Sequence, residues 1–404
     1  MERYSEYKDS CVQWIGEVPS HWEVKRLANY FTERKIKVSD KEYAPLSVTK
    51  NGVFSQLDNV AKTNDGDNRK LVLSGDFVIN SRSDRKGSSG IAKQDGSVSL
   101  INIVLKPRKN IYPDFCNYLL KCYSFIEEYY RNGRGIVADL WTTRYDEMKT
   151  IKIPVPSLNE QKAIVTYLNK VTLNIDRAIA QQQKMIDLLN ERKQIIINNA
   201  VTKGLNPDVP MKNSGIGWIG RVPSYWQIMK LKYLCSMKSG ENLISQQIEE
   251  YGKYKVFGGN GVRGFFNEYN CEGPILLIGR QGALCGNVHY TDEKIWATDH
   301  AIVTHNYRNI NINIKFLYYL VGCMNLNQYG LQTAAQPGLA VSTIKNIYGL
   351  LPPIEDQNQI VSFLDRKVLY FEKMIKFHQS LIDLFNERKQ IIINDVVTGK
   401  VKVS

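Results

Sequence analysis

A block of fourteen residues, Trp14-Ile-Gly-Glu-Val-Pro-Ser-His-Trp22-Glu-Val-Lys-Arg-Leu27, comes back 204 positions later as Trp218-Ile-Gly-Arg-Val-Pro-Ser-Tyr-Trp226-Gln-Ile-Met-Lys-Leu231. A second block, Asn190-Glu-Arg-Lys-Gln-Ile-Ile-Ile-Asn198, recurs as Asn386-Glu-Arg-Lys-Gln-Ile-Ile-Ile-Asn394. Both halves of the 404-residue chain carry the same parts in the same order, as expected of one structural unit built twice. The stretches between the blocks, 28–150 and 232–348, share little. One scaffold with two different inserts is the plain consequence.

Inside the inserts, short apolar runs read as strands: Val72–Leu73, Phe77–Asn80 and Leu100–Leu105 in the first, Tyr254–Phe257, Ile275–Ile278 and Ala301–Thr304 in the second. Turn sequences separate them, among them Asn51-Gly52, Ser74-Gly75-Asp76 and Gly258-Gly259-Asn260-Gly261. A helical run follows in each, Asp114–Tyr130 and Ile314–Gln328. Strands followed by helices make each insert an α+β domain.

From Asn159 to about Ala200, Leu168, Thr172, Ile175, Ile179, Gln182, Ile186, Leu189, Lys193 and Ile196 fall at alternating steps of four and three. The second half repeats the phase with Leu364, Val368, Phe371, Ile375, His378, Ile382, Phe385, Lys389 and Ile392. That is the spacing of a coiled-coil seam. Prolines 154 and 156, and again 352 and 353, stand before acidic first turns at Glu160 and at Glu355 with Asp356. The fold predicted is α+β: two α+β domains joined by two long antiparallel coiled-coil helices in a pseudo-two-fold repeat. Its parts are a first domain at 1–156, a helix at 157–203, a linker with Gly204, Pro207 and Pro210 at 204–214, a second domain at 215–352, and a helix with a tail at 353–404. An antiparallel pairing brings Gln182 near His378, a polar pair able to fix register. Two helices that merely cover their own domains are the alternative.

The chain has 53 Lys and Arg against 40 Asp and Glu, a formal charge of +13. A polyanionic partner fits that balance, and so does a merely basic soluble protein. Seven scattered cysteines, without a Cys-x-x-Cys pair or a histidine at ligand spacing, read as reduced and mostly buried thiols, and no metal is expected. His289, His300 and His305, even beside Asp299, fit no standard ligand set and read as packing or polar contacts. No signal sequence or membrane span is evident, so a cytoplasmic protein with no membrane partner is expected. No phosphate loop, no Asn-Pro-Pro-aromatic methyltransferase motif and no nucleophile elbow is present, so neither a catalyst nor a cofactor is expected.

These features resemble the specificity subunits of type I restriction-modification enzymes, over nearly the whole chain. The resemblance is carried by the Trp-Ile-Gly-x-Val-Pro-x-x-Trp entry, the Pro-x-x-x-Glu/Asp-Gln helix start (Pro156 to Gln161, Pro352 to Gln357) and the Glu-Arg-Lys-Gln-x-x-Ile helix end, each present twice. It implies two target-recognition domains, each reading half of a bipartite site on double-stranded DNA, with the helices setting the unread spacer. It also implies two modification (methyltransferase) subunits docking here, with restriction subunits joining them. A stand-alone nuclease or methylase needs clustered carboxylates or a cofactor motif that is lacking. A coiled-coil adaptor leaves the charge and the unlike domains without purpose.

Base reading needs Arg, Lys, Asn or Gln on loops that reach a duplex. In the first domain the candidates are Arg82, Ser83, Arg85 and Lys86 in the Ser81–Ser89 loop, with Thr143 and Arg144. In the second they are Asn260 and Arg263 on the glycine-rich turn, Arg280 and Gln281 after the apolar run, and Gln332 and Gln336 in a polar turn. A solvated turn residue is the alternative reading of each. The paired tryptophans read as packing anchors, or else as part of a partner-docking face, and His21, matched by Tyr225, as non-catalytic.

Overall fold

The computed structural model describes residues 2–56, 66–135, 141–282, 285–306, 310–330 and 338–403. The heptad runs form two helices, Leu158–Lys203 and Ile354–Val397. Every seam position from Leu168 to Ile196, and every one from Leu364 to Ile392, is buried or half-buried. Most of the positions between them are exposed, so the three-four pattern is a burial stripe.

The chain divides into two compact units, Met1–Gln183 with Ser380–Ser404, and Lys184–Gln379. Each therefore takes the start of one long helix and the end of the other. In the first unit Ile164, Val165 and Leu168 share a core with Ile392, Ile393 and Val396. In the second, Ala200 and Val201 share one with Ile360, Val361 and Leu364. The helix segments run antiparallel within each unit, and in the first Lys389 Nζ reaches Asp176 Oδ1 at 2.7 Å.

The inserts, unlike in sequence, share a frame. The first unit holds a four-stranded sheet in the order Ser89–Ile91, Phe77–Asn80, Asn102–Pro107, Phe31–Glu33. The second holds Val288–Thr291, Ile275–Gly279, Ala301–Asn306, Cys235–Ser239 in the matching order. The strand Phe77–Asn80 serves two cores: Phe77 and Ile79 pack with the helices, while Val78 packs with Val72, Val98 and Val104. Ile275–Gly279 does the same, with Leu276 and Ile278 on the helix side and Ile275 and Leu277 on the other. A strand buried on both faces appears in sequence as an unbroken apolar run. The units differ in the larger of their other sheets. In the first it is Gly96–Val98, Arg69–Val72, Lys37–Val38; in the second, Gly261–Phe266, Tyr254–Gly258, Lys294–Ala297, Cys271–Glu272.

Several expected elements shift. The strand expected at Val72–Leu73 is Arg69–Val72, because Leu73 already belongs to a turn in which its N–H donates to Asp76 Oδ2 at 2.9 Å. The strand expected from Leu100 starts at Asn102, whose own N–H closes a turn onto Ser99 O at 3.0 Å. The helical run Asp114–Tyr130 is two helices, Pro113–Leu119 and Tyr123–Arg131, and Ile314–Gln328 is a helix to Gly322 followed by a 3-10 turn at Leu326–Tyr329. Asn325 at φ 48° breaks the second run, since a left-handed residue cannot continue a right-handed helix. Among the described residues no helix is long and apolar enough to cross a membrane, and no group of His, Cys, Asp or Glu is placed to hold a metal ion.

Candidate nucleic-acid interface

The repeated blocks form a joint at the base of each domain. Trp22 is fully buried and its Nε1 donates to Glu160 Oε1 at 3.0 Å, in the first turn of the first long helix. Tyr4 O–H donates to the same oxygen at 2.7 Å, and His21 Nε2 lies 3.1 Å from Oε2. In the second unit Trp226 Nε1 and Tyr225 O–H both donate to Asp356 Oδ2, at 3.1 and 2.7 Å. His21 and Tyr225 thus serve one purpose, a polar contact to a carboxylate in the helix's first turn. Burial and the Glu160 carboxylate push the Tyr4 hydroxyl well above its ordinary value.

The next residue of each helix is a fully buried glutamine. Gln161 accepts from Tyr112 N at 2.7 Å and donates to Pro156 O at 2.9 Å; Gln357 accepts from Asn313 N at 2.7 Å and donates to Pro352 O at 2.8 Å. Helix ends complete the joint. Gly399 (φ +79°) and Gly204 (φ +76°) take the left-handed cap conformation, and a Cβ on either would stand 3.2 Å from the ring of Trp22 or Trp226.

These joints hold loops at the far end of the central strands. In the first unit the 3-10 turn Ser83–Arg85 follows Phe77–Asn80 and is tied to residues 141–143: Arg82 bridges Thr142, Ser83 N donates to Trp141 O and Thr143 N donates to Ser81 O, both at 3.0 Å. Two candidate segments 60 positions apart in sequence (82 to 142) are thereby one surface. Arg82, Arg85 and Arg144 are exposed on it, and Ser83 is half-buried. Lys86 is half-buried, paired with Glu127 Oε1 at 2.7 Å and lying 5.9 Å above the Tyr130 ring. Thr143 is a correction. It is fully buried, its hydroxyl donates to Tyr129 O at 3.0 Å and its carbonyl accepts from Tyr129 O–H, so it ties the loop down.

The second unit repeats the arrangement with other residues. Gln281 bridges Gly338 and Leu339 N donates to Arg280 O at 2.8 Å, so Arg280–Gln281 stands where Ser81–Arg82 stands in the first. Gln281 is exposed; Arg280 is half-buried with Nη1 3.2 Å from Ser239 Oγ. The tight Gly258–Gly261 turn abuts this place, since a Cβ on Gly259 would meet Gln281 O at 3.0 Å and His300 O at 3.2 Å. It carries exposed Asn260, whose Oδ1 accepts from Asn287 Nδ2 at 2.8 Å, and exposed Arg263 on the outgoing strand. His289 lies under Gly261, and burial lowers its proton affinity; its Nε2 has no partner among the described residues. Gln332 and Gln336 lie outside the described residues.

Nothing in the first insert's sequence announced that residues 141–143 meet residues 81–83. The shared place of Arg82 and Gln281 was equally invisible, because it is set by strand order. Gln182 and His378 are half-buried on their seams, and neither is without a partner.

The model of the type I restriction modification DNA specificity domain matches residues 19–186 and 223–381, one copy on each half and together well over half of the chain. The chain belongs to that family. Among similar proteins, the type I restriction enzyme EcoprrI specificity subunit of Escherichia coli is 42% identical over 147 residues, 36% of this chain and 35% of that subunit. The match thus spans about a third of that relative's length. The MjaVIII specificity subunit of Methanocaldococcus jannaschii is 23% identical over 439 positions, covering 96% of this chain and 94% of that subunit. A chain solved in work on complex assembly and conformational transition of the type I R-M system shares the fold, with TM-score 0.71 and 14% identity over 95% of this chain and 99% of that one. As a member of the specificity family the chain is a recognition component, not a catalyst.

Proposed function

We propose that this chain reads a bipartite site on double-stranded DNA and brings methyltransferase and restriction subunits to it in the cytoplasm. Domains 1–156 and 215–352 each read one half. One observation supports this most: the same pair of turns meets at the end of the central strand in both units, yet presents Arg82, Arg85 and Arg144 in one and Gln281, Asn260, Arg263 and Arg280 in the other. A common frame with unlike base-reading side chains suits two readers of different sequences. Lys86 and Ser83 are assigned to the backbone-positioning part of the surface, and Gln332 and Gln336 to the reading set of the second domain.

For partner subunits the support is an exposed apolar row. Tyr370, Phe377, Leu384 and Ile391 recur every seven residues on the second long helix and stay 52–56% exposed. Leu188 and Ile195 take the same places on the first, 49% and 42% exposed. A row of that kind is a surface for further helices, and we assign it to two modification subunits. Gln182 and His378 are proposed to fix the register of the seam.

The test uses the chain with its methyltransferase partner, on duplexes carrying or lacking its site. Arg82→Ala and Gln281→Ala should each weaken binding to the site by about 1–3 kcal/mol and relax discrimination in one half only. Equal weakening on both duplexes would mean that these residues hold phosphate and read nothing.

A further inference from the structure

We propose that a lysine-lined crevice in the first unit binds a phosphate group. Lys50 and Asn51 from a hairpin turn, Asn117 and Lys121 from the domain's helical layer, and Lys389 and Gln390 from the second long helix surround a volume of about 310 Å³. Its charge is not balanced. Lys389 is paired with Asp176 at 2.7 Å, but among the described residues neither the Lys50 nor the Lys121 ammonium has an acceptor within hydrogen-bonding distance. Lys121 is half-buried, and burial together with the Lys389 charge lowers its proton affinity. An ammonium drawn out of water beside another cation is costly, and a bound anion removes that cost.

The crevice also supplies neutral donors. Asn117 Oδ1 accepts from Ile91 N at 3.3 Å, which fixes the amide and leaves its NH2 as donor; Gln390 and Asn51 are exposed amides. Two uncompensated lysines with several amides suit a tetrahedral oxyanion, for which lysine is a common point-charge partner. The second unit sharpens the case. The matching crevice, about 290 Å³, again has the helix pair Lys193 and Gln194 with an acid beside it, Glu372 at the place of Asp176, but Gly322 stands three residues past Tyr319, where Lys121 stands three past Tyr118. The fold makes the crevice twice and charges it once.

The phosphate has two possible sources, a DNA backbone phosphodiester or a small phosphate compound; the first rests on the DNA-reading function. The experiment compares the full chain, with its methyltransferase partner, with a Lys50→Gln, Lys121→Met variant and with a control that loses exposed Lys109 and Lys152 to glutamine. Removing a half-buried, unpaired charge should not lower the melting temperature, and Lys50→Gln alone alters only an exposed turn. If the ligand is a backbone phosphate, the variant loses affinity alike for site-bearing and site-free duplexes, and the slope of log affinity against log salt falls by about 0.9, with the control unchanged. If it is a small phosphate, pyrophosphate at matched ionic strength raises the melting temperature of the parent and not of the variant, with the DNA slope unchanged. Neither response, or the same slope change in the control, overturns the assignment. Loss of discrimination between the duplexes also overturns it, because the crevice would then be reading bases; the reading function itself fails only if the parent shows no discrimination.

Discussion

Gln161 and Gln357 are small side chains with large consequences. Each is fully buried and answers one N–H and two carbonyls at the foot of its long helix. Removing the amide strands the N–H and the carbonyl it holds most closely, at about 1–3 kcal/mol each. Gln161→Ala should therefore cost roughly 2–4 kcal/mol in urea unfolding of the first unit, while exposed Gln181→Ala costs close to nothing; similar values for the two would show that the buried amide is not a structural tie. Histidines add a pH dependence in the second unit. Burial lowers the proton affinity of His289, and burial with Lys238 lowers that of His305. Their folded-state pKa values lie below the unfolded value near ~6.5, so this contribution is complete above that pH and fades as the pH falls through it. A His289→Gln, His305→Gln variant should lose less melting temperature than the parent between pH 7 and pH 5. An identical decline in both would contradict the burial argument. At this scale the sequence was partly legible: the Pro-x-x-x-Glu/Asp-Gln start stood out as a repeat, but its role was hidden because its partners, Tyr112 and Asn313, sit in the divergent inserts.

The long helices were the most legible elements. Their seam rests on local periodicity, and every seam residue came out buried or half-buried. Strands were legible where both faces are buried, as in Phe77–Asn80 and Ile275–Gly279, since burial forces an apolar run. Short strands such as Lys37–Val38 and Cys271–Glu272 carry no such signal, because a two-residue strand is defined by the neighbour that pairs with it. The proposed reading surface could be named from sequence as residue types but not as a place. Arg82 and Thr142 meet through a single bridge that no local pattern encodes. One element-scale prediction concerns the seam. Polar residues at seam positions specify register at a cost in stability. A Gln182→Leu, His378→Leu variant should keep its helices but show mixed amide exchange rates across residues 175–190 and 371–385. A single parental rate there would remove the register role.

At the scale of the whole molecule, the chain is a repeated frame whose two domains have diverged in the turns proposed to read DNA. The shared sheet order, the shared joint and the shared helix phase all make the units alike. Among the described residues, the exposed turns, the outer sheets and one crevice differ. This division predicts that recognition is modular. The most direct test is to map methylated adenines in a host that carries this chain and its methyltransferase partner, before and after residues 28–150 are exchanged for the matching stretch of another family member. The account predicts a split motif in which one half changes and the other half stays the same. A continuous motif, or a change in both halves, would contradict it.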